Sequence, residues 1–246
     1  MSQNILIFGA TSKIAEETAR LWAIDGHRLH LVGRNATKME PIRNDLLARG
    51  ATAVEVYELD FADEQSHASF IKEIYDREKI FDICLLAHGY LGNQVEDQSS
   101  YEKSLMVIKA NFLSYVSLMT PLADRMSENG TGSIVVISSV AGDRGRQSNY
   151  IYGSAKGAVS LYAQGLRNRL SSKGVNVITI KPGFVDTPMT ANIPKNKLFV
   201  KPAVIAEGIV KAIASRRSCV YLPSIWFLIM TIIKLIPEFV FKKLKL

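Results

Sequence analysis

The sequence predicts an α/β fold: one doubly wound parallel sheet of about seven strands flanked by helices. Three observations carry this. Short apolar runs of strand length recur almost from end to end, and stretches with helical periodicity separate them. The runs are near-continuously apolar rather than alternating, as strands covered on both faces are.

The first run, residues 4–8 (NILIF), stops at Gly9 and feeds a helical pattern over 14–24. The second, 28–32, stops at Gly33 before a helix over 37–49. The third, 53–59, ends at Asp60 and precedes a helix over 64–77. Residues 83–87 form the fourth run, followed by a long apolar helical stretch over 105–126. The fifth, 133–138, closes on serines ahead of a helix over 155–170, and the sixth and seventh lie at 175–181 and 219–222. β-Branched residues and leucine dominate these runs, and Gly, Asp or Ser punctuates several ends. With no internal repeat and no low-complexity linker, residues 1–222 read as one domain.

Composition supports a folded body. Apolar residues make up 48% and charged residues 22% of 246, enough apolar surface to offset chain entropy and to exclude a disordered or collagen-like chain. Two cysteines, Cys84 and Cys219, are too few for a disulfide framework, and MSQNILIFGA lacks a basic leader, so a cytoplasmic setting is expected. Thirty basic against 23 acidic residues give +7. From Lys234 onward, Lys234, Lys242, Lys243 and Lys245 face only Glu238, which places +3 of that total in the last 13 residues. The basic residues form no aromatic-interleaved stripe, which argues against nucleic acid.

The turn Gly9-Ala10-Thr11-Ser12-Lys13-Ile14-Ala15 between the first strand and helix aims backbone N–H groups and a positive helix end at an anion. Gly9 permits the tight turn, and Ala15 permits close helix–strand packing. The second strand ends in Gly33-Arg34-Asn35, with a guanidinium where a carboxylate would bond the ribose 2′-hydroxyl of NAD; that favours a 2′-phosphate, hence NADP(H) over NAD(H). Asp60 stands where it either accepts from an adenine amino group or caps the next turn.

Tyr152 and Lys156 are four apart at the start of a helix and project from one face. An ammonium near a phenol is expected to lower its pKa, suiting Tyr152 to exchange a proton with a carbonyl or alcohol oxygen. Ser139, 13 residues earlier, is placed to bond that same oxygen. His27, His30 and His67 are scattered and suggest no metal site.

These residues, with Asn111 in KANF and Pro182-Gly183-Phe184-Val185-Asp186-Thr187, make residues 3–222 resemble the short-chain dehydrogenase/reductases. The resemblance implies a Rossmann-type domain in which Tyr152 is the general acid/base and Ser139 orients the carbonyl. It implies that Lys156 tunes Tyr152 and bonds the nicotinamide ribose, that Asn111 supports a water-linked proton relay, and that Thr187 holds the carboxamide. Gly9, Thr11, Ser12, Lys13, Ile14, Arg34, Asp60, Ala87, His88, Gly89, Pro182, Gly183 and Val185 would complete the cofactor site. There are departures. Lys13 and Ala15 replace two glycines of the first loop, and Leu86-Ala87-His88-Gly89 replaces Asn-Asn-Ala-Gly. Lys13 either meets the pyrophosphate or points to solvent; His88 is either structural or a proton shuttle.

A narrower resemblance rests on GATSKIA, LLAHGYLGN, SSVAGDRGRQSNYIYGSAK, KPGFVDTPMT and IPEFVFKKL, which are similar to the decaprenylphosphoryl keto-sugar reductases. It implies a lipid-linked keto-sugar substrate, a partner oxidase in a two-step epimerisation, and a role in cell-envelope polysaccharide synthesis. Arg144 and Arg146, between Ser139 and Tyr152, are candidates to pair with a substrate phosphate. The end of the chain fits this reading. The apolar stretch 225–233 is shorter than the ~20 residues that span a bilayer, so residues 223–246 are expected to form either a peripheral membrane-surface anchor or an oligomer contact. The alternative substrate is another lipophilic ketone, ketoacyl or steroid-like; a nicotinamide-binding regulator without turnover fits less well, since Tyr152 and Lys156 are both present.

Overall fold

A computed structural model describes residues 2–244; Met1, Lys245 and Leu246 lie outside it. Seven parallel strands form one sheet: β1 (Asn4–Phe8), β2 (Arg28–Gly33), β3 (Ala53–Glu58), β4 (Ile83–Leu86), β5 (Ser133–Ile137), β6 (Asn176–Pro182) and β7 (Cys219–Leu222). Their spatial order is β3-β2-β1-β4-β5-β6-β7, so the chain reverses direction across the sheet between β1 and β4. That switch point opens a crevice at the carboxyl ends of the strands, where ligands of such sheets bind. In register, Ile5, Leu6, Ile7 and Phe8 pair with Ile83, Cys84, Leu85 and Leu86, and all eight are essentially inaccessible.

The helices are α1 (Lys13–Ile24), α2 (Ala36–Ala48), α3 (His67–Glu78), α4 (Gln94–Asp97), α5 (Tyr101–Ile108), α6 (Ser114–Asn129), α7 (Tyr150–Leu170), α8 (Pro202–Ala214), α9 (Ile225–Leu235) and α10 (Glu238–Phe241). One face of the sheet packs Ile5, Ile7, Leu29, Leu31 and Ile178 against Trp22 of α1 and Ile205 and Ile209 of α8. The other packs Leu6, Phe8, Cys84 and Val136 against Tyr115, Leu118, Met119 and Val159 of α6 and α7. Alternate residues of each strand therefore serve opposite cores, which explains the absence of a polar face in the strand sequences.

The long stretch expected as one helix over 105–126 is broken. Lys109–Leu113 forms a π-turn between α5 and α6, with Asn111 buried inside it. Such widened turns concentrate at functional sites because they free a carbonyl and redirect a side chain.

Residues 223–244 follow β7 and pack back on the body. Trp226 and Met230 of α9 pack on Val140, with Phe184, Tyr221, Ile229 and Ile233 around them. The tail thus completes a small core of its own beside the strand ends.

Candidate active site

Gly9 leaves β1 with φ +79°, and a Cβ there would fall 2.5 Å from the backbone nitrogen of His88. Only glycine lets the turn after β1 lie against the turn after β4. Ser12 N donates to Gly9 O at 2.9 Å and Ser12 opens α1, so the first-turn N–H groups that include Ile14 face the crevice without a side-chain cap. Lys13 is exposed to solvent, the second of its two expectations. Its ammonium is ion-paired with Glu16 on its own helix, which turns it along α1.

Arg34, at the end of β2, is exposed, and no carboxylate pairs with it among the described residues. Asn35 beside it caps α2 by accepting from Lys38 N at 2.9 Å, and Glu58 of β3 accepts from Ala36 N at 2.9 Å. Asp60 is exposed and uses one oxygen to accept from Ala62 N at 3.0 Å, leaving the other open.

Ser139 follows β5 and starts a 3-10 turn, Val140–Asp143, that lies flat on α7. Glycines allow this approach: a Cβ on Gly142 would meet Gly157 N at 2.5 Å, and one on Gly153 would meet Ala141 O at 2.8 Å. Ser138 locks the same junction, donating to Lys156 O at 2.9 Å and meeting Ser160 Oγ at 2.7 Å. The consequence is that Ser139 and Tyr152 face each other. Burial pushes the Tyr152 phenol up to about 12, and the Ser139 hydroxyl pulls it the other way. Lys156 is buried beside the end of β5. Its Nζ donates to Ile137 O at 3.0 Å and stands 5.8 Å from the Tyr152 ring centroid, and burial pulls the amine down to about 7. At neutral pH the phenol is therefore protonated.

Asn111 is held rigidly by the π-turn: its Nδ2 donates to Tyr90 O at 2.6 Å and Val107 O at 2.9 Å, and its Oδ1 accepts from Tyr90 N at 3.2 Å. Gly89 separates it from Lys156, since a Cβ on Gly89 would lie 2.8 Å from Asn111 Oδ1 and 3.7 Å from Lys156 Nζ. Asn111, Gly89 and Lys156 thus form one continuous floor. Ala87 joins it to the sheet through Ala87 N donating to Phe8 O at 2.9 Å. His88 is buried between the rings of Phe61 and Tyr115 at 4.4 and 4.2 Å, with Nε2 2.9 Å from Ser114 Oγ. Burial and the nearby Lys156 hold it far below its ordinary pKa, so the imidazole is neutral.

After β6, Pro182 and Val185 are buried and Val185 bridges to Val200. Thr187 caps the short turn Pro188–Thr190, and Met189 of that turn approaches Gly89 from above. Gly183 carries the indole of Trp226, a contact that nothing in the local sequence signalled.

Arg144 is a correction. Its guanidinium donates to Ile233 O and Ile236 O, both at 2.6 Å, pairs with Glu238 at 3.0 Å and lies 3.7 Å over the Phe241 ring. Four partners from the tail consume it, so it is not free for a substrate phosphate. Arg146 makes no ion pair among the described residues.

Residues 3–198 match the short chain dehydrogenase family model. The chain belongs to this family. It is an enzyme, an NAD(P)-dependent oxidoreductase with the Rossmann-like sheet described above. An uncharacterised oxidoreductase of Mycobacterium tuberculosis is 34% identical over 242 residues, covering 98% of this chain and 96% of that one. A second, from Streptomyces coelicolor, is 31% identical with coverage of 98% and 96%. Among solved structures, a short-chain dehydrogenase from Sphingobium yanoikuyae in complex with NADPH aligns with TM-score 0.80 and 25% identity over 90% of this chain and 88% of that one. An actinorhodin polyketide ketoreductase with NADPH aligns with TM-score 0.79 and 22% identity over 89% and 95%.

The residues fit a dinucleotide: the tight turn at Gly9, the uncapped first turn of α1 and Arg34, which pairs with no carboxylate among the described residues, follow the carboxyl ends of β1 and β2 beside the switch point. Lys156 and Asn111 would meet its nicotinamide end, Arg34 and Asp60 its adenosine end.

Proposed function

We propose that this enzyme is an NADPH-dependent carbonyl reductase whose substrate is a ketone on a lipid-linked, polyprenyl-phosphate keto-sugar. The bound cofactor supplies the hydride; the protein supplies alignment and the proton. Ser139 bonds the carbonyl oxygen and Tyr152 donates its phenolic proton to that oxygen. One observation carries the reading: the Tyr152 phenol faces Ser139 beside the floor formed by Asn111, Gly89 and Lys156. A protonated phenol is the form a ketone reduction consumes. Lys156 and Asn111, on the floor beside Gly89, lie where a proton relay would reload Tyr152.

Arg34 supports the preference for a 2′-phosphate, since it is exposed and without a carboxylate partner. The lipid-linked substrate is supported by the sequence resemblance and by the tail, whose outward face leaves Phe227, Leu228 and Ile232 exposed at 62%, 56% and 57%. On this reading the enzyme works at the inner face of the cytoplasmic membrane, downstream of an oxidase that makes the ketone.

Purified enzyme with NADPH, mixed with lipid-linked and water-soluble ketones while absorbance is followed, tests the proposal. Turnover is expected with the lipid-linked keto-sugar. Reduction confined to unrelated water-soluble ketones would reject the substrate assignment.

A further inference from the structure

The loop that joins Ser139 to Tyr152 holds an arginine that the fold leaves without a counter-ion. Arg146 Nε is buried and has no hydrogen-bond partner, and no carboxylate pairs with this side chain among the described residues. Burial lowers its pKa, and the Asp143 carboxylate offsets that only in part. The nearest acids are already committed. Asp143 is ion-paired with Lys181 and accepts from the Tyr221 hydroxyl at 2.6 Å, and Glu238 is paired with Arg144. A desolvated guanidinium without a partner costs free energy, and the cost is recovered when an oxyanion arrives.

Two more buried polar groups without partners lie on the segments joined to this loop. Gln94 accepts from Ile151 N at 3.2 Å through Oε1, while its buried Nε2 has no acceptor. Asn149 opens α7 without capping it, and its Oδ1 is buried with no donor. The backbone ties this cluster to the chemistry: Asn149 N donates to Arg146 O at 3.1 Å, and Gly153 N, next to Tyr152, donates to Asn149 O at 2.8 Å. The end of the tail adjoins the same loop, since Gln147 Nε2 reaches Leu244 O at 3.4 Å. Lys242 and Lys243 there form no ion pair among the described residues, so the local potential is positive.

We propose that Arg146 and Gln94, with Asn149 accepting a hydroxyl, form a substrate subsite for an oxyanion, a phosphate or carboxylate, carried on the ketone a short distance from the reacting carbonyl. This deepens the carbonyl-reductase reading and rests on it. It also divides two neighbouring arginines by role, Arg144 holding the tail and Arg146 the ligand.

The test separates binding from turnover. With full-length protein saturated with NADPH, so that the cofactor site is filled, titrate phenyl phosphate, benzoate and phenol by calorimetry. Phenyl phosphate or benzoate is expected to bind at least about tenfold tighter than phenol, the anion that binds better naming the group recognised. Arg146→Met is expected to erase that preference, Arg146→Lys to restore part of it, and Gln94→Leu to weaken it. NADPH affinity and the melting temperature of each variant show that it is folded. An anion preference absent from the wild type, or retained in Arg146→Met, overturns the subsite. Failure of the wild type to reduce any ketone would instead overturn the reductase reading, and the titrations would still decide the subsite.

Discussion

The indole of Trp226 rests on Gly183, where an added Cβ would overlap its Nε1. Trp226 comes from α9 and Gly183 from the end of β6, and Val140, the neighbour of Ser139, closes the other side of the same cluster. The tail is therefore one wall of the catalytic loop's packing.

Trp226→Ala should cost about 3–5 kcal/mol of stability, the range for deleting a buried tryptophan. Gly183→Ala should displace the indole and lower kcat more than it lowers the melting temperature. A chain ending at Leu222 should lose both fold stability and turnover. Calorimetric melts and kcat for the three variants check this, and an active truncated enzyme would contradict it.

Tyr152→Phe deletes the transferable proton and little volume. It should reduce kcat by about 10²–10⁴-fold, the scale of general acid catalysis, with NADPH affinity near wild type. Because the phenol titrates near 12, oxidation of the product alcohol, which needs the phenolate, should accelerate with pH across the neutral and alkaline range. Rates in both directions against pH provide the measurement, and a flat oxidation profile would remove Tyr152 as the base.

Much of this was legible beforehand, for physical reasons. The strands were readable because burial on both faces demands unbroken apolar runs, and all seven lie within a residue or so of their expected bounds. Gly9, Ser139, Tyr152 and Lys156 were readable because turn geometry and proton chemistry restrict residue type. The helix α8 carries one local signal, Pro202 at its first position. The π-turn at Asn111 leaves no mark in a helical pattern. The capture of Arg144 by Ile233, Ile236 and Glu238 joins residues about 90 apart, and no local pattern encodes such a contact. The bond from Lys156 Nζ to Ile137 O is equally hidden, because four residues of spacing set the face and not the partner.

Arg34→Ala should raise the Kd for NADPH by tenfold or more while changing that for NADH little, since a charge-assisted contact to the 2′-phosphate is lost. Fluorescence titration of both cofactors decides it. Equal affinities in the wild type would show that Arg34 does not read the phosphate.

Acid should destabilise the fold through His30. Buried under Phe81 and 2.6 Å from Asn4 Oδ1, this imidazole is lowered by burial from 6.5 to about 4. The unfolded chain then binds the proton more readily, so stability is complete above about pH 6.5 and declines as pH falls towards 4. The loss is about 3 kcal/mol for a shift of this size. Denaturant melts between pH 4 and 7.5 should show it, and His30→Gln should flatten that dependence.

The outward face of α9 and α10 sets the last expectation. Trp226, Met230 and Phe241 are buried inward, whereas Phe227, Leu228, Ile232, Leu235 and Phe239 are exposed, with Lys234, Lys242 and Lys243 near them. Large apolar side chains contribute ~1.5–3 kcal/mol each at full burial, and lysines near anionic headgroups add ~1 kcal/mol each, a part that fades with salt. Full-length enzyme should therefore bind anionic vesicles more tightly than neutral ones, and salt should remove only the difference. The triple variant Phe227→Ser, Leu228→Ser, Ile232→Ser alters the outer face without touching the Trp226 core, so it should lose vesicle binding and keep NADPH affinity. If the face instead covers a second copy of the chain, the wild type will ignore vesicles and the triple variant will lower the sedimenting mass.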